Sequence, residues 1–567
     1  MSDKQHHRKE TSKPETSNSE SRKADDNERD NEDDDKPDDD DDNNDEQPVR
    51  TNLVHELNIK AIDDILHDQG HDLDEQATKV DKRRRQFLVH ELKELFETKL
   101  GAKHVDYGQS TASIVKNCCK ELPSDNDESF YIVNLSHYAR QYHQWMHFLG
   151  RIHPFYAVKS NPSSFIIEVL AELGGGFDCA SAEELALVQK ICGDKFDYAK
   201  RIIFAHPCKS ISHIRQFRDA GVEMTVVDNE DELTKLKEHW PDAKVLLRLK
   251  TDDRHSMSPF STKFGANERE CITLLRLARK LNINLVGCSF HVGSRCLDPN
   301  LYKESLKLAR PRKLNINLVG CSFHVGSRCL DPNLYKESLK LARRIFDIAQ
   351  QDEFKFDFKI LDIGGGFSGH NWDKPSFPEV AKVINQTLDK IFPKSEGITL
   401  MSEPGRYFSS GGMTLVTRII ARRIHNLDYK SNEKIVELNR KMSYVQSSSE
   451  NENEKSDSEK ALIESADNIY YINDGIYGTF NAIIFDHKVF IVHYIKINDD
   501  NESCEQFKSV IFGPTCDSID CIAHSIDLPL LNIGDVLWFP DVGSYTSACA
   551  SNFNGFQTKK YIFIWKN

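Results

Sequence analysis

A chain of 567 residues, 39% hydrophobic and 29% charged, is long enough for two or three domains with a sizeable core. Its net charge of −15, with no large basic cluster, excludes a nucleic-acid surface as the organising feature. No run reaches the roughly 18 apolar residues of a membrane span and no apolar signal segment opens the chain, so a cytoplasmic protein with reduced cysteines is expected.

In chain order, residues 1–50 hold almost no apolar side chains and include the run Asp38 to Asp42, the composition of a disordered acidic tail. Residues 51–126 read as a polar helical or irregular extension. From about Ser129 short apolar strands alternate with amphipathic helices: PFYAVK, GGGFDCAS, RIIFAHP, EMTVVDN, AKVLLRL, NLVGCSFHVGS, FKILDIGGGF and ITLMSEPGR. About eight such strands over roughly 250–280 residues is the pattern of a parallel (β/α)8 TIM-like barrel, placed at 127–405. Residues 406–567 are rich in strands (MTLVTRIIARRI, IYYINDG, KVFIVHYIKI, GDVLWFP, KKYIFIW) and predict a second, mostly antiparallel β domain, with a disordered polar insertion at 427–467. SFYIVNL, before the barrel, is a further candidate strand for that domain. The 14 cysteines form no paired C-x-x-C pattern, so no metal site is expected.

One segment occurs twice. RKLNINLVGCSFHVGSRCLDPNLYKESLKLAR runs from Arg279 to Arg310 and recurs letter for letter from Arg312 to Arg343, with Pro311 at the join. Identity without drift points to a recent in-frame duplication or an error in assembling the sequence, since structural repeats adapt to their neighbours. One strand slot is expected for the two copies, because a ninth strand changes the number to which barrel tilt and shear are matched. The surplus copy is then expected as an insertion on the bottom face.

Candidate chemistry sits at strand ends. Lys159 closes PFYAVK, where a barrel faces its active site, and could form a Schiff base if desolvation lowers its pKa. Taken alone, a lysine at a strand end is usually just solvated. Gly364, Gly365 and Gly366 leave backbone N–H groups open to an anion; one strand later, EPGR adds Glu403 and Arg406. An arginine suits a phosphate and a glutamate suits a protonated pyridine nitrogen. A cofactor with an aldehyde, a pyridine and a phosphate is pyridoxal 5'-phosphate. Downstream, GPTCD brings Cys516 and Asp517, and FDH brings Asp486, carboxylates suited to a cationic substrate end.

PFYAVKSN, GGGFDCAS, AHPCKS, TKFGA, GCSFHVGS, LDIGGGF, SEPGRYF, YINDGIYGTFN, FGPTCDSID and SYTSACASNFNGFQ occur in one order over about 127–567. In these segments the chain resembles the eukaryotic ornithine decarboxylases, pyridoxal-phosphate enzymes of the alanine-racemase-like fold. The resemblance implies decarboxylation of L-ornithine to putrescine. It implies that Lys159 holds the cofactor, Glu403 pairs with its ring nitrogen, and His291 or His324 stacks on the ring. Ser294 or Ser327, with Gly364 to Gly366, Arg406 and Tyr545, is implied to hold the phosphate, with Asp178 and Arg248 near the ring. Asp486 and Asp517 are implied to receive the distal ammonium and Cys516 to return a proton. Phe485 stands where the family generally has Tyr, keeping the aromatic wall without its hydroxyl. A homodimer with shared sites is implied, Cys516 and Asp517 reaching the partner's site, and residues 209–232 align with the surface that binds antizyme in animal relatives. Alternatives are a lysine, arginine or diaminopimelate decarboxylase and a non-catalytic antizyme-inhibitor-like protein.

Overall fold

The computed structural model describes residues 92–123, 127–249, 263–266, 268–290, 320–322, 359–369, 375–424, 465–497 and 505–566, with single positions at 463 and between 332 and 343. The acidic tail, most of the N-terminal extension, nearly all of the 427–467 insertion, Pro311, His291, His324, Ser294 and Ser327 lie outside them.

Two strands precede the barrel, β1 (Lys103–Val105) and β2 (Phe130–Asn134). The barrel strands follow as β3 (Ile152–Ala157), β4 (Gly176–Cys179), β5 (Ile202–Phe204), β6 (Met224–Val227), β7 (Lys244–Leu249), β8 (Leu285–Phe290), β9 (Gly320–Ser322), β10 (Ile360–Asp362) and β11 (Thr399–Ser402). They pair in parallel and close on themselves through β11 and β3. β4 and β5 are buried at every position, as a sheet covered on both faces requires. Phe155, Ile203, Val226, Leu246, Val286 and Met401 form one apolar cluster contributed by six of these strands, the filling of the barrel's interior. The helices between them start where the sequence offers a cap: Ser181, Ser210 and Asn229 each accept a backbone N–H three residues on.

The parallel barrel expected from the sequence is present, but the expectation of a single slot for the repeated segment is overturned. β8 comes from the first copy and β9 from the second, so the barrel closes with nine strands. The twin strands pair in identical register, Gly287 opposite Gly320 and Cys288 opposite Cys321, each residue beside its own copy. β8 keeps the join to β7, and β9 makes the join to β10. Helical Tyr335 of the second copy is also built in: it is buried, stacks on Phe367 at 5.1 Å, and its hydroxyl donates to the Gly365 carbonyl at 3.1 Å.

The second sheet contains β12 (Met413–Ile424), β13 (Asn468–Ile472), β14 (His493–Ile495), β15 (Phe507–Phe512), β16 (Cys521–Leu528), β17 (Val536–Phe539) and β18 (Lys560–Lys566), together with β1 and β2. Five of its eight strand pairings are antiparallel; β18 lies parallel to both β1 and β2. β2 thus belongs to the β domain although it precedes the barrel in sequence. KVFIVHYIKI is strand only over its middle, and Val489 before it is 90% exposed. Among the described residues, no helix is long and apolar enough to cross a membrane.

Barrel and β domain meet through buried polar groups. Asn161 Nδ2 donates to the Gly543 carbonyl at 2.7 Å, and the Tyr545 N–H donates to the Ser160 carbonyl at 2.9 Å. Ser409 Oγ lies 2.6 Å from Ser544 Oγ and 3.2 Å from Ser160 Oγ. Gly543 must be glycine here, because a Cβ would stand 1.7 Å from the Ser409 carbonyl oxygen.

Candidate active site

The site starts from strand register. Ala157 pairs with Asp178 across β3 and β4, so Lys159, two residues further on, arrives beside that carboxylate. Lys159 Nζ lies 2.5 Å from Asp178 Oδ2. Protein rings the ammonium although 49% of the side chain is accessible, as in a group lining a hollow. Burial works to lower its pKa, but Asp178, joined by Tyr545 and Glu403, raises it above that of an ordinary lysine. The expected route, desolvation lowering the lysine pKa, is therefore outweighed in this arrangement.

The ends of β10 and β11 are stitched together. The Glu403 N–H donates to the Gly364 carbonyl at 2.8 Å, Ser402 Oγ donates to the same oxygen, and Asp362 Oδ1 accepts from the Gly364 N–H at 2.7 Å. Gly364 and Gly366 have φ of 65° and 102°, a turn that favours glycine and brings the backbone close to whatever lies above it. Glu403 is enclosed; burial raises its carboxyl pKa well above the usual range and nearby Asp362 and Asp178 add to the rise, while Lys159 and Arg248 oppose it. Burial likewise lowers the Arg248 pKa, with Glu403 the leading charge against it.

Arg406 starts the short helix after the EPG turn, and its guanidinium lies over the Tyr545 ring at 4.5 Å. It also forms a 2.5 Å ion pair with Asp486. Lys159, Asp178, Arg248, Gly364 to Gly366, Glu403, Arg406, Tyr545 and Asp486 are thus linked into one neighbourhood. Cys516 and Asp517 keep other company: the Tyr477 hydroxyl donates to Asp517 Oδ2 at 2.5 Å, and the Cys516 N–H donates to Asn554 Oδ1 at 3.2 Å. The Tyr477 bond holds the Asp517 pKa down. Phe485 is 69% exposed and Cys516 is exposed.

Sequence reasoning missed Asp362, Tyr335 and Tyr477. Asp362, in LDIGGGF, could have been found as a carboxylate two residues before a glycine turn. The other two act through contacts between segments far apart in the chain. A pyridoxal phosphate fits these residues: besides the lysine, the arginine and the glycine turn, Asp178 Oδ1 is buried with no hydrogen-bond partner among the described residues, an acceptor waiting for a donor.

Residues 135–311 and 305–410 match the pyridoxal-dependent decarboxylase family, pyridoxal binding domain. Among curated proteins, antizyme inhibitor 2 of Xenopus laevis is 36% identical over 80% of this chain and 85% of its own length. The ornithine decarboxylase of Mus musculus is 35% identical over 81% and 86%. The arginine decarboxylase of Paramecium bursaria Chlorella virus, solved with agmatine, superposes with a TM-score of 0.60 at 28% identity, over 80% of this chain and 99% of that one.

Proposed function

The chain belongs to the pyridoxal-dependent ornithine decarboxylase family, and on that premise we propose that it decarboxylates L-ornithine to putrescine with pyridoxal 5'-phosphate at the barrel mouth. The observation that carries the reading is the enclosed cluster of Lys159, Asp178, Glu403 and Arg248. When bound, the cofactor supplies an electron sink for the pair left as carbon dioxide departs.

The chain's own groups do the rest. Lys159 Nζ is the attachment point, and Asp178 Oδ2 holds its proton until attachment. Glu403 would pair with the ring nitrogen, its carboxylate favouring a cationic N–H there. Arg406 and the Gly364 to Gly366 turn would hold the phosphate, the turn through the N–H groups of Gly365 and Gly366 since that of Gly364 is taken by Asp362, with Tyr545 against the guanidinium. Whichever of His291 and His324 faces the ring, and of Ser294 and Ser327 the phosphate, completes the set. Asp486 and Asp517 take the distal ammonium of the diamino acid, beside Phe485. Cys516 Sγ gives a proton to the substrate carbon.

Among the described residues the Cys516 N–H bonds to Asn554 and the Asp517 carboxylate to Tyr477, and neither bonds to the residues of the barrel mouth, which supports a homodimer in which they serve the partner's mouth. Exposed Ile519, Phe553 and Phe556 beside them supply apolar surface for that contact. Free cysteines throughout the described residues suit the cytoplasm. The likeness to antizyme inhibitor 2 favours a second reading, a protein acting through antizyme. In the 209–232 segment, Lys209 and Glu232 form a buried 3.1 Å ion pair, so a partner there would meet other residues of the segment, such as the exposed Ile211.

Purified protein should show the absorbance of bound pyridoxal phosphate and release carbon dioxide from ornithine faster than from lysine. Lys159→Ala should lose the bound chromophore and lower turnover by at least about a thousandfold. A parent protein with no chromophore and no turnover, indistinguishable from Lys159→Ala, sinks the enzyme reading and leaves antizyme binding as the one to measure.

A further inference from the structure

The Arg406–Asp486 ion pair joins two residues that the proposed function assigns to opposite ends of the ligand, the phosphate and the distal amine. Arg406 Nη2 and Asp486 Oδ1 are 2.5 Å apart, and the two side chains are only 12% and 18% exposed. Neither side chain is well solvated, so the pair is weakly screened and an exchange of partner at either member is felt by the other. The Tyr545 ring lies against the guanidinium at 4.5 Å, a contact that favours keeping the side chain in place while its hydrogen-bond partner changes. A cavity of about 150 Å³ borders both members of the pair, with Ser368, Ser410, Lys488 and Asp541 around it, and gives the exchanging groups room.

We propose that this pair makes the two binding events interdependent: an anion seated on Arg406 releases the Asp486 carboxylate for a cationic amine, and Asp486 competes with that anion for the guanidinium. The inference rests on the assignment of Arg406 and Asp486 given above and adds an order to it. The first ligand to arrive competes with the pair, and the second meets a charge on which that competition is already weakened. By linkage each ligand therefore tightens the other by the same factor. A site built this way holds the diamino acid poorly until the phosphate is seated, which keeps amines out of a protein that has not yet taken up its cofactor.

The test uses full-length protein stripped of cofactor and isothermal titration with inorganic phosphate and with putrescine. Asp486→Asn should bind phosphate about five- to tenfold more tightly than the parent, because the competing carboxylate charge is gone. A gain of affinity cannot come from misfolding. In the parent, saturating phosphate should tighten putrescine by a similar factor, and Arg406→Met should abolish that dependence. Phosphate affinity unchanged or weakened in Asp486→Asn overturns the coupling, because Asp486 would then be orienting Arg406 for the anion. Should Arg406→Met instead leave phosphate affinity at the parent value, the assignment of Arg406 fails and takes the coupling with it.

Discussion

Burial works to lower the pKa of the Lys159 ammonium, and a carboxylate 2.5 Å away more than offsets it. His143 shows the same force without a partner. It lies in the helix Leu135–Leu149, 4% exposed, with Nε2 unpaired among the described residues and Tyr142 edge-on at 6.1 Å. Burial pushes its pKa down to about 3. The folded protein therefore holds His143 neutral while the unfolded chain protonates it below pH about 6.5. Between those two values the unfolded state binds one more proton, so stability falls as pH falls, by about 1.4 kcal/mol per pH unit from this residue once its unfolded form is fully charged. His143→Phe should flatten the decline in denaturant-derived stability between pH 6 and 4 by that slope. An unchanged slope would mean that His143 is charged in the folded protein. Lys159, Glu403 and Arg406 could be singled out from the sequence as candidates because each sits in a motif at a strand end. The bond between Lys159 and Asp178 was not, since it depends on the register of neighbouring strands.

At the scale of elements, the repeated segment was legible as letters but its placement was not. Parallel strands pair through the backbone, and an in-register copy offers its twin the same donors and acceptors as any neighbour. Inserting β9 beside β8 therefore breaks no pairing rule: β7 still meets a copy of the unit on one side, and β10 meets another. The side chains carry the penalty. A nine-strand barrel is wider than an eight-strand one, and the interior cluster of six buried residues has to fill it. Deleting residues 279–311 joins Ala278 to Arg312 and leaves one intact copy, whose Gly320 and Cys321 are identical to the Gly287 and Cys288 that now face β7. The shortened chain should close with eight strands and melt about 3–6 °C higher, as a better-filled interior gives. A lower melting temperature, with the barrel's circular dichroism lost, would show that the ninth strand is integral to closure.

Across the whole molecule, the order of barrel and β domain could be read from the motifs, but not how closely the two are joined. The hydroxyls of Ser160, Ser409 and Ser544 are small polar groups scattered over nearly four hundred positions, and only the fold makes them one buried network. That network ties the loop bearing Lys159 to the one bearing Tyr545, so the two residues are held as a unit within one chain. Among the described residues nothing comparable ties Cys516 there; its loop bonds to Tyr477 and Asn554. If the mouth of one subunit is completed by Cys516 of the partner subunit, damage to Lys159 and damage to Cys516 fall on different chains of the same site. Mixing Lys159→Ala with Cys516→Ala in equal amounts, through dissociation and reassociation, makes half of the dimers hybrids. Each hybrid holds one mouth with both groups intact, so the mixture should recover about a quarter of the parent activity from two nearly inactive proteins. A site contained in a single chain would give no recovery, because every chain in the mixture would still carry one of the two lesions. Activity measured against mixing ratio separates the cases, since only the shared site gives a maximum at equal proportions.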